Sequence, residues 1–180
     1  MHLLAISGSL RDGASNTALL QTASLVAPDG VAVELYGGLA SLPAFNPDLD
    51  TGDERLVPPL VVDLRERIGA ADGLLLSTPE YAHGLPGALK NALDWLVGSL
   101  EFPGKPVAVL MATARATYAR EQLLEILNTM SARVIESACA TIELPRNGPT
   151  AADLAADSAV ATALRRSLDA LGSAIRSRAA

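Results

Sequence analysis

Two stretches of this chain concentrate the residue types that hold ligands. Residues 7–17, SGSLRDGASNT, carry the hydroxyls of Ser7, Ser9, Ser15 and Thr17, the amide of Asn16, two glycines and Arg11. They run into a helical pattern. A helix N-terminus presents free N–H groups and the positive end of its dipole, so hydroxyl donors and one fixed cation beside it suit a phosphate. Neither GxGxxG nor GxxxxGK followed by Ser or Thr occurs, so the dinucleotide fingerprint and the P-loop find no support. Without a P-loop lysine, the stretch suits a terminal phosphate that is held rather than transferred. An ordinary polar turn with capping residues would use the same types.

Residues 77–92, STPEYAHGLPGALKNA, differ in kind. Pro79 and Pro86 stiffen the backbone, so its N–H and C=O groups are held in place. Such a frame can read the polar edge of a flat heterocycle while Tyr81 covers a ring face. His83 either donates to a ligand or caps the following helix, and the residues alone favour the cap. Glu80 either touches a ligand or pairs with an arginine elsewhere; beside a phosphate-bearing ligand the pairing is the commoner use. Trp95 and Cys139 read as packing residues.

Loops of this kind need strands and helices to aim them. Residues 2–7 and 73–77 are short apolar runs of buried parallel-strand type, 31–36 alternates, and 106–111 is a fourth run. A weaker strand lies between Val134 and Ile142. Helices are expected from Asn16, as N-cap, through Ala27; after Pro58-Pro59; along Leu85, Leu89, Leu93 and Leu96; from Glu121 to Met130; and from about Ala151 to Ser177. In the last of these, Asp153 and Asp157 near the start and Arg176 and Arg178 near the end follow the dipole. The stretch GGLASLPAFNPDLDTGD reads as a long surface loop. Five β-α units imply a three-layer α/β sandwich on a five-stranded parallel sheet, and the flavodoxin-like order 2-1-3-4-5 fits that element count. In that order the loops after strands one and three flank the ligand crevice.

Composition bounds the possibilities. With 180 residues, one domain is expected; 49% hydrophobic residues but only 3% aromatic make an aliphatic core. A net charge of −6 argues against nucleic acid or an anionic membrane as partner, and an anionic ligand would need a local site that overcomes the overall field. One cysteine, Cys139, allows no intramolecular disulfide and points to the cytoplasm. The N-terminal apolar run is only strand length, too short for a signal-peptide core or a membrane span, and nothing later reaches spanning length.

The two loops together resemble the NADPH-dependent FMN reductase family, which includes quinone, azo-dye and chromate reductases. The family pattern GSLRxxSxN stands here as GSLRDGASN, residues 8–16, and PEYNxSxPGxLKNAxDW as PEYAHGLPGALKNALDW, residues 79–95. A third piece, LPxFNPDLD, is present from Leu42 to Asp50. The resemblance implies a flavodoxin-like fold with residues 1–180 as a single FMN-binding domain, and hydride transfer from NAD(P)H through FMN to a small electron acceptor such as a quinone. It implies that Ser9, Arg11, Ser15, Asn16 and Thr17 hold the FMN phosphate. Pro79, Glu80, Tyr81, His83 and Gly84 would meet the isoalloxazine, largely through main-chain atoms, with Glu80 also serving subunit contacts. Leu89, Asn91, Asp94 and Trp95 would build a homodimer or homotetramer. The hard chemistry belongs to the flavin, so no acid–base residue and no metal is expected.

Three positions depart from the family pattern. Its first-loop serine falls on Ala14, with Ser15 one place later; its asparagine after Tyr81 is Ala82; and its glycine-rich loop after the fourth strand is TARATYAR, residues 113–120. The Cβ atoms there could crowd the flavin or the nicotinamide. Arg115 or Arg120 could instead supply positive charge where reduced flavin gathers negative charge. Two rivals follow: a flavin-binding electron-transfer protein that does not use NAD(P)H directly, and a non-redox, degenerate family member. A hydrolase finds little support, with no GxSxG elbow and only His2 and His83 available.

Overall fold

The computed structural model describes residues 1–52, 55–145 and 148–179. Asp53 in the expected surface loop and the side chain of Arg178 lie outside the described parts. In chain order the elements are β1 (His2–Ser7), α1 (Ser15–Leu25), β2 (Ala32–Leu35), α2 (Pro59–Ala70), β3 (Gly73–Ser77), α3 (Gly87–Asp94), β4 (Pro106–Met111), α4 (Thr117–Thr129), β5 (Arg133–Val134), β6 (Ala140–Thr141), α5 (Ala151–Ala156) and α6 (Ser158–Ala179). The strands are parallel and run β2-β1-β3-β4-β5, the expected flavodoxin-like order.

Strand periodicity divides the core into two layers. Leu4, Ile6, Leu74, Leu76, Val107, Val109 and Met111 point to one face of the sheet, where Leu64, Leu89 and Leu123 of α2, α3 and α4 meet them. Leu3, Ala5, Leu75, Ala108 and Leu110 point to the other, against Leu19, Leu164 and Leu168 of α1 and α6. A strand buried on both faces must be apolar at every position, which is why these read as unbroken runs rather than alternations. The small Ala5 and Ala108 leave room for α1 and α6 to pack closely against their face.

The fifth strand position is split. β5 pairs with the start of β4 and β6 with its end, and a 3₁₀ turn at Glu136–Ala138 separates them. At the break the Val109 N–H donates to Cys139 Sγ, 3.3 Å away, instead of to a strand carbonyl. The Ser167 hydroxyl of α6 donates to the Ala138 carbonyl. The split strand therefore keeps buried partners for its backbone, as burial requires.

Other boundaries move for similar reasons. The N-cap of α1 is Ala14, not Asn16, which sits within the first turn. α4 begins at Thr117 rather than Glu121, because a residue outside the helix caps it. The expected terminal helix is two. A Thr150–Asp153 capping box opens α5, and Asp157 accepts from the N–H groups of Ala159 and Val160 to start α6. The stretch from Gly37 is no free surface loop. It contains 3₁₀ turns at Leu39–Ser41 and Pro47–Leu49, and Leu39 and Leu42 are buried.

Asn91 and Trp95 tie that stretch down. The Asn91 side chain donates to the Pro43 carbonyl and accepts from the Phe45 N–H, and Trp95 Nε1–H donates to the same carbonyl at 2.8 Å. Trp95 is 0% exposed and edge-on to Phe45, and Leu89 is buried. These three residues, which the resemblance assigns to a subunit interface, are consumed within their own chain. Asp94 pairs with Lys90 one turn away.

Candidate functional site

β1 and β3 are neighbours, with Ser7 opposite Ser77, so their carboxyl ends deliver both candidate loops to one edge of the sheet. The Gly8 N–H donates to the Ser77 carbonyl at 2.7 Å and locks the loops together. A Cβ at Gly8 would lie 2.5 Å from Thr78 Oγ1, so only glycine permits this approach. Ser77 Oγ donates to Asn16 Oδ1 at 2.9 Å, and Ser7 and Thr17 hydroxyls meet at 2.8 Å.

Within the first loop, Ser7 Oγ accepts from the Ser9 N–H and Ser9 Oγ from the Arg11 N–H, each at 3.3 Å. These bonds shape the loop and leave its strongest donors unspent. Among the described residues, the Arg11 guanidinium, the Ser15 hydroxyl and the Asn16 amide nitrogen have no partner. Ala14 offers no side-chain oxygen to cap α1, so the N-terminal N–H groups of the helix are not taken up by a cap. Substitution of an alanine at this place thus keeps the helix end open to an anion.

The second loop is built as a tight hairpin. Tyr81 and Gly84 exchange N–H···O bonds of 3.1 and 3.0 Å, and Ala82 and His83 between them have φ of 50° and 57°. Two successive positive φ values are the signature of a type I′ turn, which favours Asn and Gly over Ala and His. Three contacts bind this hairpin to the first turns of α4. Glu80 Oε2 accepts from the Ala119 N–H at 3.0 Å, Gln122 Oε1 accepts from the Leu85 N–H at 2.8 Å, and the His83 ring stacks on Tyr118 at 4.3 Å. Glu80 is therefore a helix cap, and among the described residues it pairs with no arginine. His83 does not cap α3, whose N-cap Pro86 receives no side-chain bond.

A third loop, residues 112–116 after β4, completes the arrangement. Thr113 Oγ1 donates to the Glu143 carboxylate, the Ala114 N–H donates to Glu143 Oε1, and Thr113 Oγ1 accepts from the Arg115 N–H at 3.3 Å. Between the three loops lies a cleft of about 350 Å³. Ser15, Asn16, Pro79 and Glu80 line it, together with Ala112, Thr113, Arg115, Ala116, Leu144 and Pro145.

The fold thus brings four of the expected residues to one wall-to-wall space. Ser9 and Arg11 stand on the adjoining loop, and Thr17 in the first turn of α1, engaged with Ser7. Tyr81 and His83 sit outside the lining and are exposed, Tyr81 to 55%. Leu144, Pro145 and Glu143 carry no local signal in the sequence; they arrive because β6 pairs with the end of β4. Burial, ahead of the other influences, pushes the Cys139 thiol up, so it is a poor nucleophile, and it does not line the cleft. Among the described residues, no group of three or more His, Cys, Asp or Glu side chains is placed to hold a metal, and no helix is long and apolar enough to cross a membrane.

Hydroxyl, amide and guanidinium donors at a helix N-terminus, next to a rigid loop with fixed main-chain groups, fit a phosphate joined to a flat ring system. The sheet order and its flanking helices define a flavodoxin-like α/β protein. The chain belongs to the NADPH-dependent FMN reductase family, whose model matches residues 1–144. That makes it a flavin-dependent oxidoreductase that draws on a nicotinamide cofactor. It is 43% identical over 136 residues to an NAD(P)H-dependent FMN reductase of Pseudomonas aeruginosa, 71% of each chain. It is 35% identical over 138 residues to a quinone reductase of Escherichia coli K12, 72% of each. Among solved structures it is similar to FerB, a flavoenzyme NAD(P)H:(acceptor) oxidoreductase from Paracoccus denitrificans. That likeness has a TM-score of 0.80 and 27% identity, and covers 98% of this chain and 97% of FerB.

Proposed function

We propose that the protein binds FMN in the cleft between the loops after β1, β3 and β4 and reduces quinone-type acceptors at the expense of NAD(P)H. When bound, FMN supplies the hydride chemistry, accepting from the nicotinamide and passing two electrons on to the acceptor. The observation that carries the reading is the set of donors without protein partners at Arg11, Ser15 and Asn16, beside the uncapped start of α1. Ser9, Arg11, Ser15, Asn16 and Thr17 hold the phosphate, Thr17 by bracing Ser7. Pro79, Glu80, Tyr81, His83 and Gly84 form the face that meets the ring system. Glu80 contributes by fixing the loop to α4 and Tyr81 by presenting an exposed ring above it.

The rest of the chain serves this site. Residues 1–180 act as one FMN-binding domain in the cytoplasm. The exposed Leu56, Leu60, Val97 and Leu100 support a homodimer or homotetramer formed through the start of α2 and the segment after α3.

The purified protein, incubated with FMN and desalted, should keep a flavin absorption band shifted from that of the free cofactor. Arg11→Ala should raise the FMN Kd about 10- to 100-fold, the loss of a charged hydrogen-bond partner. A colourless protein, or an Arg11→Ala variant with wild-type affinity, would overturn the assignment. NADPH oxidation that fails with a quinone while the flavin remains bound would move the protein to electron transfer without direct NAD(P)H use.

A further inference from the structure

Hydride transfer brings two electrons and one proton, so the flavin gains one unit of negative charge unless a second proton follows. A site that favours the reduced cofactor needs positive charge or spare donors near the ring. In this chain the loop after β4 has part of its backbone closed to that use. Residues 113–116 include no glycine, so every residue of this stretch carries a Cβ. The two central N–H groups are already spent, Ala114 on the Glu143 carboxylate and Arg115 on Thr113 Oγ1.

The cation that this loop offers is the Arg115 side chain. It lines the cleft, and its guanidinium makes no ion pair among the described residues; its Nε reaches only Thr113 Oγ1, at 3.4 Å. In a chain of net charge −6, a guanidinium at the cleft opposes the overall field. Glu143 makes no direct ion pair with it; Thr113 Oγ1 stands between the two charges. The Glu143 carboxylate bonds instead to the neutral N–H of Ala114 and hydroxyl of Thr113, and so pins the loop from which Arg115 projects.

Resting on the FMN assignment above, we propose that Arg115 is the electrostatic partner of reduced FMN, and that Thr113 and Glu143 are positioning residues that aim it. A side-chain cation takes the place that open backbone would fill in a glycine-rich loop. Because the interaction is with charge that appears only on reduction, it stabilises the reduced cofactor more than the oxidised one.

The test is the midpoint potential of the FMN-loaded protein, measured against a redox dye, together with the Kd for oxidised FMN. Arg115→Gln should weaken reduced FMN about tenfold more than oxidised FMN, a fall of about 30 mV for a two-electron couple. Arg115→Lys should restore most of it. Glu143→Ala should lower the potential part of the way, whereas Glu143→Gln, which keeps an acceptor oxygen for Thr113 and Ala114, should not lower it. Equal weakening of both redox states by Arg115→Gln, or no change in either, would overturn the proposal. So would an effect confined to discrimination between NADPH and NADH. An unchanged potential in Glu143→Ala would remove Glu143 as a positioning residue. Failure of the wild-type chain to hold FMN would be a distinct result and would remove the flavin assignment itself.

Discussion

Glu80 Oε2 lies 3.0 Å from the backbone nitrogen of Ala119, so a residue of the loop after β3 caps a helix that begins 37 positions later, at Thr117. The bond accounts for the early start of α4, whose own N-cap Ala116 provides no side-chain oxygen. It also holds the hairpin at 81–84 against α4. Glu80→Ala should cost about 1 kcal/mol of stability, the usual loss for a removed helix cap. Glu80→Gln keeps an acceptor oxygen and should retain most of it. Urea denaturation of both variants checks this, and equal stability of the wild type and Glu80→Ala would show that the cap is not used.

Gly8 is where two loops touch. Gly8→Ala would place its Cβ 2.5 Å from Thr78 Oγ1 and 3.0 Å from Leu89 Cδ2. Relief requires the loops after β1 and β3 to part, at about 1–3 kcal/mol. FMN affinity should fall with stability, since both loops wall the cleft; calorimetry with FMN reads both effects.

Ala82 has φ of 50°, a conformation costly for a residue with a Cβ and no local hydrogen-bonding group. Ala82→Gly should therefore raise stability by about 0.5 kcal/mol, the relief of strain being partly offset by the greater freedom of glycine when unfolded. Ala82→Val, β-branched, should lower it by about 1–2 kcal/mol. Denaturation midpoints of the two variants should move in opposite directions.

Asn91 holds the stretch at 43–45 by bonds of 2.7 and 2.9 Å. Asn91→Ala leaves the Phe45 N–H without its acceptor and should cost about 1–3 kcal/mol. Asn91→Asp restores the acceptor but turns a carboxylate oxygen toward the Pro43 carbonyl, so it should recover only part of the loss. Full recovery would mean that the Pro43 bond contributes nothing.

The thiol of Cys139, pushed up chiefly by burial, stays protonated at neutral pH. Native protein should react with a thiolate-selective disulfide reagent far more slowly than unfolded protein, as absorbance of the released thiol would show.

Much of this was legible in the linear chain because its physics is local. β1, β3 and β4 are buried on both faces, so each appears as an unbroken apolar run. Pro58-Pro59 marks the start of α2 because proline suits a first helical turn. The hydroxyls, amide and arginine of residues 7–17 lie close together along the chain, so their placement at the start of α1 needed no fold to reveal it.

The remainder depends on partners distant in sequence. α4 starts where Glu80 places its cap, and Glu143 reaches Thr113 because β6 runs alongside the end of β4. His83 stacks on Tyr118 rather than capping α3 because the hairpin turns its ring toward α4. Asn91 and Trp95 bond to Pro43 and Phe45 because residues 43–45 fold back over α3, which no helical periodicity reports. Spacing along one helix or strand shows which face a residue occupies; only the packed chain decides what that face meets.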